Sequence, residues 1–368
     1  MSSESEATKQ LRGKGRGSSF SVLDRAVWSR LWEVPATNRL NLVSAFIVLL
    51  AGTGADHRLT KWSAKACEDY VGMGKPRAQL AIGELIDAGL IERTEGSTRL
   101  RPQYLLKHLP DDADPIFLPN QLVTGLSGET PVLRRVRETG DPLLLRMLID
   151  MYGLIQLDAT FSLPLSQLRE APREPSRKVA ELGANAVWAL PSDHSMKAKG
   201  DWVRPHYNEG PTAEASWANF WDRVSLLKKI GALIFEPWVF DGDGEDAEPM
   251  FPINVVSFYA PNYHPDEEAE LTSAIIEVSE IMLSEQAYAL ERYSECLLLP
   301  LPLHHRSPAI QGVAKMRVEA DTPGRRMTFA QRKKRLRQYA QAIEKLKATV
   351  VEGAFDAPLR LSFGEEAA

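Results

Sequence analysis

Only two cysteines, Cys67 and Cys296, occur in 368 residues, and they match no Cys/His spacing of a structural metal site. Neither a disulfide framework nor a structural zinc is expected, and a reducing compartment is. Long apolar runs are also missing. The longest, Leu42 to Ala51, is interrupted by Ser44 and reaches about half of what a bilayer span needs, so no membrane segment is expected. The opening MSSESEATKQ holds no apolar stretch of a secretory signal. Catalytic signatures are equally scarce: GxxxxGK[ST], HExxH and GxSxG do not occur. His304 and His305 are adjacent and so diverge, which makes a poor metal pair. Asp241, Asp243, Glu245 and Asp246 imitate part of a calcium loop, yet Pro252 stands where the bidentate glutamate belongs. The expectation is therefore a protein with no metal, no cofactor and no enzymatic activity.

What is present is globular: 44% hydrophobic and 25% charged residues, over a length suited to two or three domains. The formal net charge of −5 hides a segregation. Asp241 to Glu295 carries 14 acidic residues against one arginine, whereas Asp321 to Lys347 carries nine basic against two acidic. Such asymmetry signals either a nucleic-acid-binding segment or a contact between oppositely charged parts of one chain.

Residues 1–20 read as a flexible basic arm, with Gly13-Lys14-Gly15-Arg16-Gly17 at its centre. Asn38 onward gives a helix, capped by Thr37 or Asn38 and apolar almost all round, hence a core helix, stopped by Gly52 and Gly54. Thr60 to Tyr70 gives a short second helix. Val71-Gly72-Met73-Gly74 makes a turn, and Lys75 to Ala88 a third helix with Pro76 in its first turn and Gly89 just past its end. Its apolar residues recur at Ala78, Ala81, Ile82, Leu85 and Ile86, leaving Lys75, Arg77 and Gln79 outside. Leu90 to Thr94 and Thr98 to Arg101 alternate as two strands about Glu95-Gly96-Ser97.

This order, and above all Ala81 to Arg93 followed by a returning Arg99-Leu100-Arg101-Pro102, resembles the winged helix-turn-helix superfamily of bacterial regulators and replication initiators, over about residues 38–106. The resemblance implies sequence-specific binding of double-stranded DNA by a cytoplasmic, nucleoid-associated protein. The third helix would enter the major groove, with Arg77 paired to guanine and Gln79 to adenine, Lys75 and Ser63 on phosphate, and Arg93, Ser97, Thr98 and Arg99 on the wing. An adaptor role, in which a winged helix binds protein as in kite-type subunits of chromosome-organising complexes, is the alternative.

Leu227-x₃-Gly231-Ala232-Leu233-Ile234 repeats the frame of Leu85-x₃-Gly89-Leu90-Ile91. The expected fold is accordingly mainly α with small β-wings: a winged-helix domain at 21–110, a linker at 111–140, a divergent second copy at 141–262 with an insertion at 171–212, and a helical C-terminal region at 263–368. The second wing would pair Leu233 to Phe240 with Phe251 to Tyr259. In the second copy Trp217 and Trp221 occupy the frame positions of Lys75 and Gln79, which points to packing or a homodimer or protein interface. Thr328 is expected to cap a last helix in which Arg332, Lys333, Lys334, Arg335 and Arg337 form a basic patch. That patch either attracts DNA phosphates or docks on the acidic region of its own chain.

Overall fold

The computed structural model describes residues 19–98, 100–107, 114–200, 212–254, 266–284, 286–305, 307–352 and 360–361. Of these, 44% are helical and 23% lie in strands of four sheets, the largest with five strands. The fold is therefore mixed α and β, and the expectation of a mainly α protein with small wings is overturned. The chain divides into two compact units, each drawn from three separated segments. The first takes Met1–Leu154, Arg204–Leu233 and Met316–Pro323; the second takes Ile155–Val203, Ile234–Lys315 and Gly324–Ala368.

In the first unit β1 (Phe20–Asp24) leads into α1 (Arg25–Glu33), followed by α2 (Arg39–Ala51), β2 (Leu59–Thr60), α3 (Ala64–Val71), α4 (Lys75–Asp87), β3 (Ile91–Arg93) and β4 (Tyr104–Leu106). The core is organised by α2: from Leu42 to Ala51 every residue is buried, Ser44 included, as its unbroken apolar circumference requires. Asn38 caps it by accepting the Asn41 N–H. The three short strands form one sheet in the order β2-β4-β3, all antiparallel. The returning strand begins at Tyr104 and not at Thr98, because residues 94–103 close on themselves: Thr94 N donates to Gln103 O, and Thr98 N to Arg101 O.

The stretch expected as a linker contributes β5 (Pro115–Pro119), α5 (Gln121–Thr124) and α6 (Val132–Glu138). β5 pairs antiparallel with β1, from Phe20 opposite Pro119 to Asp24 opposite Pro115. Next come α7 (Pro142–Tyr152) and the distant α8 (Ala213–Lys229). Asp141 ties them together: its carboxylate accepts the Leu143 and Leu144 N–H groups as cap of α7 and pairs with Arg223 of α8 at 2.6 Å. The third segment is fastened by the Tyr152 hydroxyl, which donates to Val318 O at 2.7 Å, and by Arg317 on Glu129 at 2.7 Å.

The second unit contains β6 (Leu168–Pro172), β7 (Arg177–Leu182), β8 (Asn185–Pro191), β9 (His194–Ala198), β10 (Leu233–Phe240), β11 (Pro249–Pro252), α9 (Asp266–Met282), α10 (Ala287–Arg292), β12 (Cys296–Pro302), β13 (Ala309–Met316), α11 (Pro323–Val351) and β14 (Arg360–Leu361). One sheet runs β11-β10-β13-β6-β9, another β12-β8-β7-β14. The hairpin expected as a second wing exists as β10 and β11, with Val239 opposite Phe251, but it is part of this five-stranded sheet. The region expected to be helical holds β12 and β13, and the supposed insertion at 171–212 supplies strands to both sheets. Pro300 is tolerated in β12 because that strand lies at a sheet edge. The last helix starts at Pro323, so Thr328 is no cap: it is buried within α11 and donates to Gly324 O. Among the described residues no helix is long and apolar enough to cross a membrane.

In the first unit α7 carries a titratable group whose burial has a thermodynamic consequence. Burial pushes the Asp150 carboxyl up to about 6, against the lowering effect of the Trp28 indole N–H, which it accepts at 2.5 Å, and of Arg146 and Arg25. The folded state thus retains a proton that the unfolded chain has released, and stability falls as pH rises from about 4 to about 6. Asp150→Asn keeps the acceptor for Trp28 and removes the charge. We expect it to exceed the natural protein in stability at pH 7 by on the order of 2 kcal/mol, the difference closing below about pH 4. Urea unfolding of both proteins across pH checks this.

Candidate nucleic-acid interface

The turn between α3 and α4 is set by residue type. Gly72 takes the left-handed conformation at φ 64°, and a Cβ there would stand 3.4 Å from Arg134 Nε. Met73 next to it is fully buried and anchors the turn. Helix α4 follows with no side-chain cap and Pro76 in its first turn. Its inner face, Ala78, Ala81, Ile82 and Leu85, is buried. The outer face exposes Lys75, Arg77, Gln79 and also Leu80, whose side chain is 52% exposed. Lys75 and Gln79, one turn apart, share one side of this face; Arg77, Leu80 and Glu84 share another.

The other residues expected to meet DNA are placed as follows. Ser63 caps α3, its hydroxyl oxygen accepting the Lys65 N–H at 3.3 Å and leaving the O–H to donate. Arg93 is exposed at the end of β3. Ser97 and Thr98 shape the hairpin tip by accepting the Gln103 and Arg101 N–H groups, each at 3.0 Å. Arg99 and the arm around Lys14 and Arg16 lie outside the described residues. Exposed Arg101, not foreseen, joins the tip. Among the described residues Lys75, Arg77, Arg93 and Arg101 have no ion pair.

Two further arginines come from the segment expected as a linker. Arg137 of α6 donates to Val71 O at 3.2 Å and Gly72 O at 3.3 Å, and through Nε to Asn41 Oδ1 at 3.3 Å. Arg134 lies against Gly72 and pairs with Glu138. The signal was legible: Val132, Leu133 and Val136 recur at helical spacing with arginines between them.

The C-terminal basic patch is largely committed within the second unit. Arg332 is not available to a phosphate. Its side chain is 7% exposed, donates two hydrogen bonds of 2.9 Å to Glu236, and also pairs with Glu268. Lys315 reaches Glu236 at 3.4 Å, and the Trp238 indole N–H donates to it at 2.8 Å. Burial pushes the Glu236 carboxyl up, but Lys315, Arg332 and Trp238 more than offset this and hold it well below its ordinary value. Glu268 lacks the extra donors, so burial wins and pushes it up despite Arg332. Arg335 donates to Pro249 O, Lys333 lies 3.9 Å from Glu267, and Lys347 pairs with Glu277 at 2.8 Å. Of the two alternatives for this patch, docking on the acidic segment is the one observed; Lys334 and Arg337 remain exposed.

On α8, Trp217 and Trp221 stack at 5.9 Å with Phe220 edge-on to both, and both tryptophans are half-buried. No family model, curated protein or solved structure matches this chain.

Arg332→Ala leaves Glu268 buried without its guanidinium and Glu236 with Lys315 alone, and is expected to cost about 3–5 kcal/mol, whereas exposed Arg337→Ala should change stability by less than about 0.5 kcal/mol. Urea unfolding monitored by tryptophan fluorescence distinguishes the two.

Proposed function

We propose that the first unit binds duplex DNA, with residues 38–106 acting as a winged helix-turn-helix. The observation that carries this reading is the outer face of α4: Lys75, Arg77 and Gln79 stand exposed on its first turns, and neither cation has an ion pair among the described residues. A helix so presented fits the major groove, whose base edges offer acceptors for a guanidinium and a paired acceptor and donor for a glutamine amide. Leu80, exposed on the same helix, would meet thymine methyls. Arg93 and Arg101 at the hairpin would contact the backbone beside the groove. In this reading the protein is a transcription regulator or a replication initiator. The C-terminal helix contributes little in this reading, since Arg332, Lys333, Arg335 and Lys347 already face carboxylates or a carbonyl.

The adaptor reading draws on the partly exposed Trp217–Trp221 stack, which suits a protein partner or a second copy.

The test is fluorescence anisotropy of the full chain on duplexes selected from a random pool. Arg77→Ala with Gln79→Ala should weaken the selected site at least about tenfold and flatten its preference over unrelated duplex, each good bidentate contact being worth about 1–3 kcal/mol. Unchanged affinity and preference would remove the major-groove model and favour the adaptor. Inverted repeats among the selected sites would mark a dimeric regulator, clustered direct repeats an initiator.

A further inference from the structure

Beside α4 the first unit contains a cleft of about 480 Å³. Its walls include Thr37, Asn38 and Asn41 at the start of α2, Arg77 and Glu84 of α4, and Arg137 of α6. Two guanidinium groups converge there. Arg137 is held rigidly by three neutral acceptors, Val71 O, Gly72 O and Asn41 Oδ1. The one carboxylate in the wall, Glu84, is turned to the Thr37 N–H, which it accepts at 2.8 Å. Neither Arg77 nor Arg137 has an ion pair among the described residues. Burial lowers the Arg137 pKa from its usual value and Arg77 lowers it further, as two like charges facing one opening should.

We propose that this cleft is a phosphate seat, in which Arg137 and Arg77 grip one phosphate group and the Asn41 side chain orients Arg137. The inference rests on the duplex-binding reading for its source of phosphate and extends it: the seat takes a backbone phosphodiester flanking the bases that α4 meets. Arg77 would stand at the boundary, contributing to the seat and to the groove, whereas Arg137 serves the seat alone. With Nε and Nη1 engaged by Asn41, Val71 and Gly72, Arg137 has its Nη2 donors left for one phosphate oxygen, and Arg77 supplies the donors for another. A seat fixed by an element outside the hairpin and the helix pair would set the register of α4 along the duplex without reading sequence.

The full chain tests this in two arms. Arg137→Gln keeps amide donors for the turn carbonyls and removes the charge. Asn41→Asp keeps the acceptor for Arg137 Nε and places a negative charge at the seat, so it decides the matter if the glutamine variant fails to fold. In the duplex arm either variant should weaken binding about three- to tenfold and make the slope of log affinity against log salt shallower by about one, with sequence preference unchanged. In the second arm inorganic phosphate and a nucleoside triphosphate are titrated calorimetrically into the natural protein and both variants. Loss of duplex affinity and slope assigns the seat to the DNA backbone. An unchanged duplex response with variant-sensitive binding of free phosphate keeps the seat and assigns it to a small phosphorylated ligand. Unchanged behaviour in both arms overturns the seat, and persisting sensitivity of duplex binding to Arg77→Ala with Gln79→Ala then leaves the groove reading standing. If the natural protein binds free phosphate through Arg137 but no duplex, the seat survives and the groove reading falls.

Discussion

A guanidinium cannot be placed inside a protein without a counter-charge, and in the second unit this constraint fixes how the secondary structure is joined. Arg332 of α11 meets Glu236 of β10 and Glu268 of α9, and Lys315 of β13 also reaches Glu236. One helix, one further helix and two neighbouring strands are thus held by partners that differ in direction as well as in charge. Replacing such a cluster wholesale by well-packed apolar residues is often no loss, so its contribution lies in specifying which face of α11 turns inward. That choice has an electrostatic consequence, since it commits most of a nominally DNA-like basic patch to internal contacts.

The first unit follows the opposite rule. Its cations on α4 and the hairpin stand without carboxylate partners among the described residues, and Arg137 of α6 leans on carbonyl oxygens. A patch of modest charge that is unneutralised exerts more field on an anion than a dense patch already paired. Local charge counts along a sequence do not distinguish these cases; the pairing does.

Much of the first unit was legible. The ends of α4, the start of α2 and the 71–74 turn follow from turn chemistry and three- and four-residue spacing, which are local. In the second unit the β10–β11 hairpin was legible as well, whereas β13 was not. Ala309–Met316 is buried along its whole length, yet it contains Gln311 and Lys315, so it shows neither alternation nor a clean apolar run. Those polar residues are satisfied by distant groups, Gly242 O and Gly244 O for one and Glu236 for the other, which no local pattern reveals. The same holds for the candidate site: Lys75, Arg77 and Gln79 could be read from spacing, but Arg137 belongs to it only because residues 96 positions apart, Asn41 and Arg137, are brought together.

Each unit is stitched from three segments, so the chain passes from one to the other at residues 154, 203, 233, 315 and 323. The contacts that the third segment makes in the first unit, Val318 O with the Tyr152 hydroxyl and Arg317 with Glu129, need residues up to 318 to have been made. The third segment of each unit begins only after residue 315, so neither unit has all of its parts before that point of the chain has been made.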